Sequence, residues 1–216
     1  MRREIRFFHQ HTFEATEETK IKVEQNETCG IACVLMIFDL YNRVSYPTKK
    51  MELELYKDYR SKAYKMGTLG SSLADCLSQN ELKVCMMHSS PGVLDNKGQY
   101  FEPELFDAIL TEWKEKMEKC KKSVEILTGI SVTCDTIKEQ IVCGRQVILL
   151  CLIDGNVDGI HDKSLHWIVV YGYEENKFLI CDPSSCKRKY SEEELWEYMD
   201  TPLGQICITV EEGRSL

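Results

Sequence analysis

The sequence predicts an α+β fold in which helices come first and a largely antiparallel sheet follows. Apolar residues recur with helical spacing between residues 30 and 120, whereas after residue 130 they form short β-rich runs joined by turns. In addition, Cys29 stands where a polar loop meets an apolar run, at the start of a predicted buried helix. A length of 216 residues fits one domain, which we place at residues 1–216 with a helical middle section at about 43–130.

The composition excludes several classes of function. The formal net charge of −8 argues against nucleic acid or an anionic membrane as the main partner. The sequence contains no apolar run near 18 residues, so we expect no membrane span, and the first residues do not resemble a secretory signal. The 11 cysteines are odd in number and scattered, with several inside apolar runs. This usage is typical of free thiols in a reducing compartment, and we predict a cytoplasmic protein.

The predicted helices are recognised by periodicity and by their caps. Thr48 and Ser191 are candidate N-caps, and Glu194 completes a capping box with Ser191. The first helix is apolar on most of its sides, which predicts a central position in the fold. The helices are expected over residues 30–42, 49–64, 72–80, 102–119, 136–144 and 191–199.

The predicted strands are short apolar runs bounded by turn residues. Turns are expected at residues 154–155, 174–176 and 182–185, because these positions combine Gly, Pro, Asn, Asp or Ser with polar neighbours. We also expect a loop at residues 89–98. The strands are expected over residues 5–8, 21–23, 82–86, 146–153, 165–172, 177–181 and 205–210.

The strongest chemical signal is the cysteine at the start of the first helix. The N–H groups of a helix's first turn lack partners within the helix, and the helix dipole leaves positive charge at that end. A thiolate is stabilised there, which favours a nucleophile over a packing residue. Gly30 leaves the approach to the sulfur free of a side chain, and Gln25 offers an amide donor for a developing oxyanion.

A base and an orienting carboxylate are predicted on one hairpin far along the chain. His166 begins a strongly apolar strand, and the run 177–181 follows across a tight turn. Pairing about that turn places Asp182 beside His166, where a carboxylate orients the imidazole ring and stabilises the imidazolium. Cys29, His166 and Asp182 thus form a nucleophile, a base and an orienting group.

Three segments together resemble the motifs of papain-like cysteine peptidases. These segments are Gln25 with residues 29–33, residues 166–172, and residues 181–183. The most similar type is the bacteriocin leader-processing peptidases that cut after a double glycine, together with their stand-alone relatives. The resemblance covers roughly residues 20–42 and 134–210. It implies a papain-like fold in which the nucleophile helix packs against the sheet that carries the base.

The resemblance also implies residue roles. Cys29 carries over as nucleophile, His166 as base, Asp182 as orienting group and Gln25 as oxyanion donor together with the N–H of Cys29. The loop between Gln25 and Cys29 is two residues shorter than is usual in the family, and Thr28 stands where the family often has aspartate. If the Gln25 amide does not reach, Asn26 or a donor elsewhere would serve.

Two kinds of reaction share this site. The expected acyl-thioester is resolved by water in a peptidase and by another acceptor in the related acyltransferases and transpeptidases, and the sequence does not show the acceptor. We favour hydrolysis of a peptide or amide bond, with acyl or peptidyl transfer as the alternative. The partner is a peptide or an acyl-carrying substrate, no cofactor is expected, and the oligomeric state is not indicated. Some relatives are described as guanylyl-cyclase-like. This activity is not supported here, because the sequence has no glycine-rich phosphate loop and no paired metal-binding carboxylates.

Two non-enzymatic alternatives remain. Cys29 and Cys33 are four residues apart and would share one face of a helix, as a chelating or disulfide-forming pair, but no recognised zinc spacing is present. An inactive scaffold with the same fold is the second alternative. The joint presence of Cys29, His166 and Asp182 favours an enzyme over both, and no metal ligands are predicted.

Overall fold

The computed structural model of the chain describes residues 5–8, 27–63, 67–89, 102–157, 160–201 and 203–213, with the backbone alone at 154–157 and 160–163. Within these ranges the chain forms six helices and seven strands. The helices are α1 (Cys29–Leu40), α2 (Lys49–Tyr59), α3 (Gly70–Gln79), α4 (Pro103–Cys120), α5 (Cys134–Val142) and α6 (Glu192–Met199). The strands are β1 (Leu82–His88), β2 (Glu125–Thr128), β3 (Gln146–Val157), β4 (Ile160–Glu174), β5 (Lys177–Cys181), β6 (Lys187–Tyr190) and β7 (Ile206–Glu212).

The described strands form one sheet in the order β2-β1-β7-β3-β4-β5-β6. Neighbouring strands are antiparallel except for β1 and β2, which are parallel. Strands β3, β4 and β5 follow one another along the chain and lie side by side, as hairpins do. Glu175 and Asn176 form the turn between β4 and β5, both with positive φ. The α+β prediction with a largely antiparallel sheet is therefore confirmed.

Helix α1 lies in the core on one face of the sheet. All 12 of its residues are buried, which explains why its sequence is apolar on every side. It packs with α3 and with the side chains of β4 that alternate toward it, such as Trp167 and Val169. The chain thereby places the first residue of α1 close to the start of the apolar part of β4.

Helices α5 and α6 cover part of the opposite face. Ile137 of α5 and Leu195 of α6 pack on the residues of β3, β4 and β5 that point away from α1. Strand β4 is buried on both of its faces from His166 to Val170. This double burial accounts for its continuous run of apolar residues, since a strand covered on one side would alternate.

Several sequence predictions need correction. Residues 5–8 are not in a strand, although Ile5 is buried against the core. The turn predicted at 154–155 is absent, because β3 continues to Val157 and pairs with β4 throughout. Helix α2 ends at Tyr59, earlier than predicted, while β2 and β6 were not predicted. The predicted strand 21–23 and nearly all of the predicted loop 89–98 lie outside the described residues.

Candidate active site

The pairing of β4 with β5 brings His166 and Asp182 together. Val169 pairs with Cys181, the last residue of β5, so His166 lies on the part of β4 that extends beyond β5. Asp182 occupies the space that β5 leaves, and its Oδ1 is 2.8 Å from Nε2 of His166. Both residues are almost fully buried, with 3% and 4% of their surfaces exposed. The contact that hairpin register predicted is present.

The turn after β5 holds the Asp182 carboxylate in place. Oδ1 accepts hydrogen bonds from the Ser184 backbone N–H at 2.9 Å and the Ser184 hydroxyl at 2.7 Å, and Oδ2 accepts one from the Ser185 hydroxyl at 2.9 Å. Burial raises the pKa of Asp182, but the hydrogen bond and charge of His166 and the bonds from Ser184 outweigh it. The pKa of Asp182 is thus held well below its usual value of 3.8, and the carboxylate is ionised.

Cys29 is the first residue of α1, as predicted. Its backbone follows Thr28, whose carbonyl accepts the first helical hydrogen bond from the N–H of Ala32 at 2.9 Å. One turn further along, the Cys33 thiol donates to the carbonyl oxygen of Trp167 at 3.3 Å. This bond joins α1 to β4 at the residue next to His166. It therefore helps to fix the position of the start of α1 relative to His166.

Cys29 and Asp182 act together on the protonation of His166. Burial lowers the pKa of this histidine, whereas hydrogen bonds to Asp182 and to Cys29, and the charges of both groups, raise it. The net effect is a pKa of about 9 instead of 6.5. Since Asp182 engages Nε2, Nδ1 is the ring nitrogen available to the thiol. The arrangement therefore favours the imidazolium form of His166.

Gln25 lies outside the described residues, and so does Asn26. The structure therefore describes three of the four predicted site residues and brings these three together. Among the described residues, the donors near Cys29 that could bind an anion are the backbone N–H groups in the first turn of α1.

The structure adds Thr68 and Trp167 to the surroundings of Cys29. The indole N–H of Trp167 donates to the carbonyl oxygen of Thr68 at 3.1 Å. A Cβ placed on Gly30 would lie 2.3 Å from the Thr68 hydroxyl oxygen and 3.0 Å from Cδ1 of Trp167. Glycine is required here because both groups press against the backbone of α1. The sequence offers no local signal for this contact.

The metal and redox alternatives find no added support. The described residues contain no group of three or more His, Cys, Asp or Glu side chains able to hold a metal ion. All 11 cysteines lie in described ranges and are free, including Cys29 and Cys33. Among the described helices, none is long and apolar enough to cross a membrane.

Comparison with known proteins gives a family match across most of the chain. Residues 21–205 match the Peptidase_C39 like family, a range that includes the middle section 43–130. No curated protein matches the sequence.

Three solved structures are similar at low identity. A double glycine motif protease from an AMS/PCAT transporter, in complex with the leader peptide, has 16% identity and a TM-score of 0.47 over 98% of this chain and 94% of that one. A putative C39-like peptidase from Bacillus anthracis has 10% identity and a TM-score of 0.46, over 87% of this chain and 90% of that one. The peptidase domain of Streptococcus ComA, a bi-functional ABC transporter involved in a quorum sensing pathway, has 13% identity and a TM-score of 0.44. The match covers 96% of this chain and 98% of that one.

Proposed function

The chain belongs to the Peptidase_C39 like family, and from this membership we propose that it is a cysteine peptidase with Cys29, His166 and Asp182 as its catalytic residues. Membership agrees with the resemblance found in the sequence motifs and with the papain-like α+β fold. The family supports a peptide substrate. The assignment of roles to individual residues is our proposal, supported by the geometry around His166.

In the proposed reaction, the Cys29 thiolate attacks the carbonyl carbon of a peptide bond. The carbonyl π bond opens to an oxyanion, which the N–H of Cys29 and the Gln25 amide stabilise. When the C–N bond breaks, the imidazolium of His166 gives its proton to the leaving amine, and an acyl-thioester remains on Cys29. His166 then takes a proton from water as the hydroxide adds to the thioester carbonyl. The C–S bond breaks, the carboxylic acid leaves, and Cys29 returns to the thiolate beside the imidazolium of His166.

One observation carries the proposal: the buried hydrogen bond between His166 and Asp182, on a ring whose pKa is also raised by the neighbouring Cys29. Asp182 is itself fixed by Ser184 and Ser185, so the histidine is oriented by a carboxylate that does not rotate. A merely structural histidine would need one partner. This one lies between the thiol at a helix start and an ionised carboxylate, which is the arrangement of a general base.

Acyl or peptidyl transfer remains the second candidate, since it forms the same thioester and differs only in the acceptor. Free thiols throughout the chain support a reducing, cytoplasmic setting, in which Cys29 stays reduced.

The first test measures the reactivity of Cys29. Each protein is treated with iodoacetamide between pH 5 and pH 9, and alkylation is mapped by peptide mass. We expect Cys29 to react faster at pH 5 than Cys143, an exposed cysteine in the same chain. His166→Ala should abolish this advantage, because the imidazolium no longer stabilises the thiolate. Equal rates for the two cysteines in the wild-type protein would contradict the proposal.

The second test measures cleavage. A library of peptides from digested protein is incubated with the wild-type chain, and new termini are identified by mass spectrometry. No products are expected from Cys29→Ala, and Asp182→Asn should lower kcat/KM on the order of 10²- to 10⁴-fold because the base loses its orienting charge. The products formed without an added nucleophile distinguish the two candidates: free acid indicates a hydrolase, and joining of the acyl fragment to the amine of a second peptide, seen as a ligated mass, indicates a transferase.

A further inference from the structure

The hydroxyl of Thr68 lies against the first turn of α1 and makes no hydrogen bond to the described residues. Thr68 is 94% buried, being only 6% exposed, and its Oγ1 has no hydrogen-bond partner among the residues that the structure describes. A buried hydroxyl without a partner destabilises a folded protein, because it loses its bonds to water and gains none in exchange. Such groups are rare and in general indicate a ligand or a catalytic role.

The position of this hydroxyl is defined by Gly30. Oγ1 of Thr68 would be 2.3 Å from a Cβ at residue 30, so it lies against the backbone of the first turn of α1, one residue after Cys29. The hydroxyl therefore lies against the first turn of the helix, where N–H groups lack intrahelical acceptors and positive charge accumulates. Thr28, the N-cap residue, does not satisfy these donors, since its side chain makes no capping bond. Among the described residues, the hydroxyls of Thr28 and Thr68 are thus both buried without a hydrogen-bond partner at this end of α1.

The described residues next to Thr68 are held by several hydrogen bonds. The N–H of Ser61 donates to the carbonyl of Gly67 at 2.9 Å, and Arg60 bridges to Thr68 itself. At its other end, the loop is held by Glu112 of α4, whose carboxylate accepts from the Ser61 hydroxyl at 2.7 Å and from two backbone N–H groups, those of residues 62 and 63. These bonds fix Thr68 in place before any ligand binds, which is the condition for an efficient electrostatic catalyst.

Given the proposed peptidase function, on which this step rests, we propose that Thr68 is an oxyanion donor. Its hydroxyl donates a hydrogen bond to the carbonyl oxygen of the acyl group that Cys29 attacks, and it acts beside the N–H of Cys29. An acceptor that develops negative charge at the positive end of α1 satisfies the buried hydroxyl and the first-turn N–H groups together. Thr68 is then a catalytic residue that bonds to the reacting oxygen.

The test compares two reactions of the same sulfur. With p-nitrophenyl acetate, the thiolate attacks an ester carbonyl, an oxyanion forms, and p-nitrophenolate leaves to give acetyl-Cys29. With iodoacetamide, the thiolate displaces iodide at a saturated carbon and no oxyanion forms. A group that stabilises the oxyanion changes the first rate and not the second, whereas a change in thiolate content alters both.

The variant Thr68→Val removes the hydroxyl and keeps the shape of the side chain. We expect it to lower the rate of Cys29 acetylation by about 10-fold or more while alkylation stays within about 2-fold. Its melting temperature should be unchanged or higher, because the hydroxyl has no partner to lose. Thr68→Ser should keep both rates, and Ser71→Ala, which removes another buried hydroxyl without a partner among the described residues, should leave both at the wild-type level.

Three outcomes would overturn the proposal. Thr68→Val that is acetylated at the wild-type rate, or that slows acetylation and alkylation equally, shows that the hydroxyl does not act on an oxyanion. A large fall in its melting temperature shows a structural hydrogen bond instead. Failure of the peptidase function is distinct from these: then wild-type Cys29 itself is neither alkylated nor acetylated faster than Cys143, and both proposals fall.

Discussion

Two helix starts in this molecule, those of α1 and α6, carry similar sequence signals and are built differently. At α6 the Ser191 hydroxyl accepts from the N–H of Glu194, and the Glu194 carboxylate accepts from the N–H of Ser191. At α1 the N-cap residue is Thr28, which is also a common capping residue, but its side chain makes no capping bond. The start of α6 is half open to solvent, whereas that of α1 is buried.

The difference lies in how the first-turn N–H groups are capped by the described side chains. Helix α6 satisfies its first-turn N–H groups with its own oxygen atoms, as does α5 with a capping box at Thr133 and Thr136. Helix α1 leaves its N–H groups beside a cysteine and two buried hydroxyls, those of Thr28 and Thr68. A helix start that is incompletely satisfied yet buried is unfavourable for stability, and it is at this start that the proposed chemistry takes place.

The largest effect is expected from a methyl group placed at the α1 start. Gly30→Ala puts a Cβ 2.3 Å from the Thr68 hydroxyl and 3.0 Å from Leu73 and Trp167. We expect a loss of about 1–3 kcal/mol in the free energy of unfolding from overpacking. Acetylation of Cys29 should slow at least as much as in Thr68→Val, because the Thr68 hydroxyl is displaced. Urea denaturation and the p-nitrophenyl acetate assay measure the two effects.

Gly70→Ala is the matched control for this change. It also adds a Cβ in the first turn of a helix, α3, but the nearest atoms, on Ile206 and Trp167, are 3.2 Å away. A smaller destabilisation and retained acetylation are expected. If the two variants behave alike, the close approach of Thr68 to Gly30 has no special role.

An intermediate effect is expected on the pH dependence of stability. The folded-state pKa of His166 is raised to about 9 from 6.5, so its contribution is complete below pH 6.5 and is lost as the pH rises through 9. The difference in free energy of unfolding between the wild-type chain and His166→Gln should therefore be largest near pH 6 and shrink toward pH 9.5. A difference that is constant or grows with pH would contradict the imidazolium at the α1 start.

The α6 start should respond in the opposite pH range. The pKa of Glu194 is lowered from 4.5 by its hydrogen bonds to Ser191, so its contribution is present above pH 4.5 and is lost as the pH falls. Glu194→Gln compared with the wild-type chain should accordingly show a difference that varies only in acid. Denaturation series over the same pH values measure both starts.

The smallest effect contrasts the two N-cap side chains directly. Ser191→Ala removes a capping bond and should cost about 1 kcal/mol of unfolding free energy without changing the reactivity of Cys29. Thr28→Val removes a hydroxyl that caps nothing, so it should cost less than Ser191→Ala or be stabilising. Urea denaturation of both variants decides the matter, and a larger loss for Thr28→Val would mean that its hydroxyl bonds within the fold.

Local pattern was sufficient for the parts of the fold that are buried in a regular way. The apolar run after Cys29 predicted α1, and the bounds of β5 were predicted as they are found. Turn geometry brought Asp182 to His166 because a hairpin register is a short-range property. Sequence could not predict β6, whose Lys-Arg-Lys-Tyr has no apolar alternation because it is an exposed edge, nor β2, also an edge strand.

The approach of Thr68 to α1 was also beyond the sequence. It depends on a hydrogen bond between residues 99 positions apart, from Trp167 to the Thr68 carbonyl, and on Glu112 holding the start of the loop. Such contacts arise from tertiary packing and have no local signature. The strand predicted at residues 5–8 was wrong for a related reason, because the apolar side chains of this segment pack on the core although its backbone is not in a strand.

The position of β7 determines how the two parts of the sheet are joined. This strand is the last of the seven described strands along the chain, yet it lies between β1 and β3. Before β7 pairs, the part of the described sheet that holds β1 and the part that holds His166 and Asp182 share no strand. Pairing of β7 is therefore the step that completes the sheet on which His166 and Asp182 are carried.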